Sequence, residues 1–217
     1  PVIAPHEDVT VETTESLGAV VNYASPATVD AVSGTGLATC NGPPGLFPVG
    51  VTTVVCNATD AAGNAATPTA FTITVTPIPP RLEFSGGVLT ILGTIQNDTI
   101  RLMKLGKGFQ VETNFGAPLT IPSRKLLRSV IVDARGGNDT IDLALLASTQ
   151  SAMIAGGAGD DTVTAGAGAD IVRGGLGNDL LSGLGGDNLL IGDAGADRLF
   201  GGRNSDLLVG GQLDESA

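Results

Sequence analysis

The chain has 217 residues, 32 of them glycine, with 3% aromatics, no Trp and a formal net charge of −11, which excludes the basic face of a nucleic-acid binder. One His and two Cys leave too small an inventory for a zinc site or a Ser-His-Asp triad, so the composition reads as a non-enzyme. No run of about 18 apolar residues is present to span a membrane, and no cationic, apolar leader precedes Pro1, which begins either a mature protein or a fragment.

Charge partitions the chain. Residues 1–80 carry six acidic and no basic residues, residues 81–133 carry four acidic and seven basic, and residues 134–217 carry twelve acidic and four basic. Pro77, Pro79 and Pro80 make a short stiff linker. The expected organisation is a β-sandwich over 1–77, a linker and irregular β segment over 78–133, and a calcium-binding β-roll over 134–217, with a softer boundary near 134.

In the first part, runs rich in β-branched residues alternate with turn signals at sandwich spacing. The predicted strands are Val9–Thr13, Ala19–Tyr23, Thr28–Val32, Thr52–Asn57 and Phe71–Thr76. Gly34-Thr35-Gly36, Asn41-Gly42-Pro43-Pro44 and Asp60-Ala61-Ala62-Gly63-Asn64 are the predicted turns. Cys40 and Cys56 are either a disulfide or two separate buried thiols. Paired, they close a loop of about 17 residues worth about 3 kcal/mol on a chain-entropy model, and they imply an oxidising, extracytoplasmic compartment.

The stretches Asp8-Val9-Thr10-Val11-Glu12, Phe47-Pro48-Val49-Gly50-Val51-Thr52-Thr53-Val54-Val55-Cys56, Ala58-Thr59-Asp60-Ala61-Ala62-Gly63-Asn64 and Phe71-Thr72-Ile73-Thr74-Val75 resemble a hyalin-repeat (HYR) domain. That resemblance covers about residues 1–77 and implies an immunoglobulin-like extracellular module linked with adhesion, without an active site. Such domains often carry a second cysteine pair near their ends. Neither of its members is present here, which leaves Cys40 and Cys56 as natural partners.

In the middle part, strands are predicted at Val88–Leu92, Thr99–Leu102, Phe109–Thr113 and Ser129–Val132. Arg124, Lys125 and Arg128 read as a solvated turn in preference to an anionic-ligand patch. Residues 93–101, reading GTIQNDTIR, look like a worn copy of the repeat that follows.

From Gly156 to Val209 the chain falls into six consecutive nonapeptides: GGAGDDTVT, AGAGADIVR, GGLGNDLLS, GLGGDNLLI, GDAGADRLF and GGRNSDLLV. An isolated earlier copy, ARGGNDTID, spans 134–142, and a partial copy dissolves after Gly210-Gly211 into Gln212–Glu215. Position 8 is always apolar, as the inward side chain of a short strand must be. Glycines at positions 1, 2 and 4 are expected to supply positive φ, so that the chain turns sharply and aims carbonyls at one point. Position 6 is Asp in five of the six copies: Asp161, Asp170, Asp179, Asp197 and Asp206. Carbonyls plus carboxylates suit Ca²⁺, which takes about 6–8 oxygens, better than the tighter octahedron of Mg²⁺.

This pattern resembles the hemolysin-type RTX calcium-binding repeat, GGxGxDxUx, whose fold is a parallel β-helix. The resemblance implies two repeats per coil, so that loops 18 residues apart stack and share a calcium. One edge then stacks Asp161, Asp179 and Asp197, with Asp139 as its cap. The other stacks Asp170, Asn188 and Asp206, with residues 143–155 as an expanded calcium-free loop. Asn188 lacks the charge, so its neighbouring sites should bind more weakly. Ala165, Leu184 and Asp193 replace glycines, and Asn204 stands at a fourth-position glycine. Degenerate loops that no longer bind metal are the alternative, but stacked aspartates without a cation would repel. Calcium binding should therefore be folding free energy: loose at submicromolar and ordered at millimolar calcium.

The prediction is an all-β protein, an N-terminal immunoglobulin-like β-sandwich plus a C-terminal parallel β-roll (RTX β-solenoid). It is expected to be a non-catalytic, extracellular, secreted or cell-surface protein in which several Ca²⁺ ions rigidify the roll. Expected partners are calcium, copies of itself and other cell-surface proteins, with no nucleic acid and no membrane span. Only about eight residues cover the last coil, and an open coil end suits a subunit of a calcium-dependent surface filament. The alternative is the secretion and stability module of a type I-exported hydrolase whose catalytic domain is absent. The chain shows no HExxH or GxSxG, and its single His6 sits near a terminus. Carbohydrate binding lacks stacking platforms, with one Tyr and six Phe, and the Asn-x-Thr sequons at Asn57, Asn97 and Asn138 read as turn chemistry.

Overall fold

The structure is a computed structural model that describes residues 1–15, 17–123 and 126–211. Arg124 and Lys125 of the basic cluster, and the partial copy at Gln212–Glu215, lie outside the described residues. The chain divides into two compact units, Pro1–Ile78 and Pro79–Ala217. Among the described residues every regular element is a strand.

The first unit is an immunoglobulin-like sandwich. Its strands are β1 (Val2–Ile3), β2 (Val9–Thr13), β3 (Ala19–Val21), β4 (Ala27–Asp30), β5 (Gly34–Leu37), β6 (Thr39–Cys40), β7 (Gly45–Phe47), β8 (Gly50–Asn57) and β9 (Thr69–Pro77). They form a sheet of order β2-β9-β8-β6, a sheet β1-β4-β5 and a pair β3-β7. Strand period places Phe71, Ile73 and Val75 of β9 inward beside Val54 and Cys56 of β8, and these build the core with Ile3, Val21 and Phe47. The predicted turn at 34–36 is instead strand β5, paired with β4. Chain reversal comes just before it, where Asp30 Oδ1 accepts the N–H groups of Val32 (2.9 Å) and Ser33 (2.7 Å), as Asx turns do.

Cys40 and Cys56 form a disulfide between β6 and β8, across a directly paired position. They lie 16 positions apart in sequence. Replacing both by Ser should lower the stability of this unit by about 3 kcal/mol, because the released loop regains its closure entropy. A melt of the double variant beside the reduced wild-type chain checks this, and both should lose the same transition temperature.

The second unit holds β10 (Arg81–Ser85), β11 (Val88–Leu92), β12 (Thr99–Leu105), β13 (Gly108–Thr113), β14 (Leu119–Ile121), β15 (Ser129–Asp133) and β16 (Thr140–Asp142). The run continues with β17 (Ser151–Ala158), β18 (Thr162–Thr164), β19 (Ile171–Leu176), β20 (Leu180–Ser182), β21 (Leu189–Ala194), β22 (Arg198–Phe200) and β23 (Leu207–Val209). The strands form two sheets, ordered β10-β11-β15-β17-β19-β21-β23 and β14-β13-β12-β16-β18-β20-β22, and from β15 onward successive strands alternate between them. From β15 and β16 onward every pairing is parallel, the signature of a β-roll.

The parallel register stacks the inward apolar positions into two columns. Ile91, Val132, Ile154, Val172, Leu190 and Leu208 pair in one sheet. Ile100, Ile141, Val163, Leu181 and Leu199 pair in the other. Each coil thus buries its apolar residue on the coils above and below it, which no single nonapeptide could do alone. Residues on both sides of 134 share these sheets and one core, so 134 separates two kinds of sequence within one structural unit. The expanded loop spans 143–150, shorter than predicted, because Ser151–Ala158 is already strand.

Candidate metal centre

Two rows of loops join the sheets, and the seven residues predicted as metal ligands lie on them. Asp139, Asp161, Asp179 and Asp197 stack on the first row; Asp170, Asn188 and Asp206 stack on the second. Each stack is built by a hydrogen bond between coils. On the first row the N–H of Asp139 donates to Asp161 Oδ1 (2.8 Å), that of Asp161 to Asp179 Oδ1 (2.9 Å) and that of Asp179 to Asp197 Oδ1 (2.9 Å). On the second row the N–H of Asp170 donates to Asn188 Oδ1 and that of Asn188 to Asp206 Oδ1, both at 3.0 Å.

Asp139 does not cap the first row. Asp98 lies beyond it, buried, and donates its N–H to Asp139 Oδ1 at 2.6 Å. Sequence reasoning missed Asp98 as a site residue because 41 residues separate the two. The signal was the tetrapeptide NDTI, present at both 97–100 and 138–141. A second device also went unread. The side chains of Asn97, Asn138, Asp160 and Asn178, one position before the stacked aspartates, accept N–H groups of the following coil at 2.7–3.0 Å.

The glycine columns divide by role. Outside the copy at 165–173, positions 2 and 4 carry the positive φ, as at Gly157 (111°), Gly159 (127°), Gly175 (123°) and Gly177 (128°). The non-glycine residues in these columns, Arg135 (75°), Leu184 (63°), Asp193 (69°) and Asn204 (82°), sit closer to the left-handed basin that L-residues can enter. Asp193 is further held by an ion pair with Arg173. Position 1, expected to need positive φ, needs room instead. A Cβ on Gly156, Gly174, Gly192 or Gly201 would overlap Oδ2 of Asp161, Asp179, Asp197 or Asp206.

Those carboxylates are short of partners. Oδ2 of Asp139, Asp161, Asp179 and Asp197 is buried and accepts no hydrogen bond. All four lie on the first row. A buried acceptor left unmatched costs about 1–3 kcal/mol, and more when charged. Burial pushes the Asp139 carboxyl up to about 8 and the Asp161 carboxyl up to about 7, each raised further by the neighbouring aspartates. Asp179 is raised for the same two reasons, burial first. Such groups either hold a proton or meet a cation. Among the described residues no three acidic, His or Cys side chains close on one point, so a cation here must draw on backbone oxygens as well. The carbonyl oxygens are at hand: Gly174 O would stand 2.8 Å from a Cβ on Gly156, beside Asp161 Oδ2. The residues fit a hard divalent cation.

The proton alternative makes a prediction with a definite sign. A carboxyl whose pKa is raised in the folded chain contributes stability that is full below its ordinary value near 3.8 and is lost as pH rises through about 7 to 8. Without calcium, the melting temperature of the second unit should therefore fall between pH 5 and pH 8.5. Saturating calcium should flatten the slope. A calcium-free profile that rose with pH would contradict the burial of these carboxyls.

Comparison with protein families gives two matches. Residues 2–75 match the HYR domain, and residues 152–181 and 182–213 match the RTX calcium-binding nonapeptide repeat (4 copies). The chain joins an HYR domain to RTX calcium-binding repeats. No curated protein and no solved structure matches it. The RTX repeats make it a calcium-binding protein, and both modules are non-catalytic structural or binding types, typical of extracellular or surface proteins. Among the described residues no helix is long and apolar enough to cross a membrane.

Proposed function

We propose that the protein is an extracellular, calcium-stiffened structural or adhesion module, in which carboxylates of the RTX loops hold calcium between successive coils. The observation that carries this reading is the row of four buried, unpartnered Oδ2 atoms on Asp139, Asp161, Asp179 and Asp197. Asp170 and Asp206 belong to the same column on the opposite row. Calcium, when bound, supplies the positive charge these oxygens lack. The chain's own part is to hold the carboxylates in register, one per coil, through the N–H to Oδ1 bonds already described. Because register along the roll and charge neutralisation are then the same event, ordering and metal binding are coupled. The HYR domain, an adhesion-type module, would be carried by this stiffened roll.

A second reading is assembly of the same module into a calcium-dependent surface filament. A calcium titration of the purified chain, followed by circular dichroism and light scattering and reversed with chelator, tests both. Gain of β-structure at constant size supports the stiffened module. Growth into long particles that dissolve on chelation supports the filament. No response in either signal overturns the calcium reading.

A further inference from the structure

We propose that the loop pair 183–188 and 201–206 takes no calcium, because the Asn188 side-chain amide supplies there the positive hydrogens that a cation must supply on the first row. This rests on the calcium reading and refines where it applies. Asn188 Nδ2 is within hydrogen-bond reach of four oxygens: Gly185 O, Gly186 O and Gly201 O at 3.2 Å, and Asp206 Oδ1 at 3.0 Å. Its two hydrogens are shared among them. The amide cannot be turned round, since its Oδ1 accepts the Asp170 N–H at 3.0 Å. Reversal would set nitrogen against that donor and oxygen among four acceptors.

The first row shows the same place without the donor. A Cβ on Gly183 would meet Asn188 Nδ2 at 2.5 Å and Gly201 O at 2.6 Å; on Gly156 it would meet Asp161 Oδ2 and Gly174 O. Equivalent positions thus hold a nitrogen donor in one case and an unpartnered oxygen in the other. Asp170, next along the second row, is also satisfied by protein alone, with Ala152 N–H on Oδ1 (2.6 Å) and Gly166 N–H on Oδ2 (3.0 Å). The tier at Asn188 is therefore locked by hydrogen bonds, and calcium loading falls to the first row, where Asp139, Asp161, Asp179 and Asp197 keep an unpartnered oxygen.

Counting bound calcium on the full chain by native mass spectrometry tests this. Asn188→Asp should gain one ion per chain at saturating calcium, because it recreates the unpartnered oxygen among the same carbonyls. Asn188→Ala, which offers no ligand, should keep the wild-type ion count even if its melting temperature falls. An unchanged count in Asn188→Asp, or an ion lost in Asn188→Ala, overturns the proposal. A wild-type chain that binds no calcium at all overturns the calcium reading itself.

Discussion

Removing calcium is expected to melt the repeat strands of residues 156–209 while leaving Pro1–Ile78 folded. The first row offers three intervals between stacked carboxylates, from Asp139 to Asp161, Asp179 and Asp197. A site held at a hundredfold excess over its dissociation constant stabilises the folded state by about 2.7 kcal/mol, so three give about 8 kcal/mol. That matches the whole stability of an ordinary domain, about 5–15 kcal/mol. The repeats have little else to draw on: apart from Ala165, their fully buried apolar side chains are Val163, Val172, Leu181 and Leu190. Residues 81–142 keep a larger core around Leu89, Ile91, Ile100, Phe109 and Ile121, and Thr94 already satisfies the Asp98 carboxylate through its N–H (2.6 Å) and its hydroxyl (2.9 Å). Hydrogen exchange in chelator should therefore show protection through the first unit, partial protection to about residue 142, and almost none from 156 to 209. Uniform protection throughout would mean that the roll stands without metal.

Gly175→Ala should be the most damaging single substitution among the glycines of the clean repeat at 174–182. Its φ of 123° lies outside the left-handed basin, and a Cβ there would overlap the carbonyl of Gly157 on the coil before it. Backbone strain costs about 1–3 kcal/mol, and forced overlap typically about 1–3 kcal/mol more. A loss of about 4 kcal/mol would outweigh any one calcium site. Gly210→Ala is the matched control, since a Cβ there meets nothing within 4 Å, and it should stay within about 0.5 kcal/mol of wild type. Chemical denaturation at saturating calcium compares the two. Equal losses would show that the turn geometry at Gly175 is more forgiving than the coil spacing implies.

Much of this was legible in the chain. The nine-residue period and its apolar eighth position were legible as a repeat, because an inward side chain must recur at a constant phase, and the parallel roll followed from its resemblance to the RTX repeat. Two repeats per coil, which that resemblance implies, sorted the aspartates into rows, from Asp161 to Asp197 and from Asp170 to Asp206. The prolines and the absence of basic residues before position 81 marked the first unit. Turn and strand at residues 30–37 were not separable by composition, since Gly34-Thr35-Gly36 suits either and only pairing with β4 decides.

What the sequence determined by itself, then, is the repeat and the class of chemistry, because both follow from local spacing and residue type. Three matters belong to the tertiary structure. Asp98 joins the first row only because the strands at 99–105 and 140–142 lie side by side across a long excursion. The first-position glycines prove to be room for a carboxylate and not a turn device, which depends on where the side chain five residues later points. Most of all, the seven predicted site residues look alike in sequence but not in space. Four present a buried oxygen without a donor, whereas Asp170 and Asn188 are matched by protein. Whether a buried polar atom has a partner is a property of its surroundings, and only the folded chain supplies them.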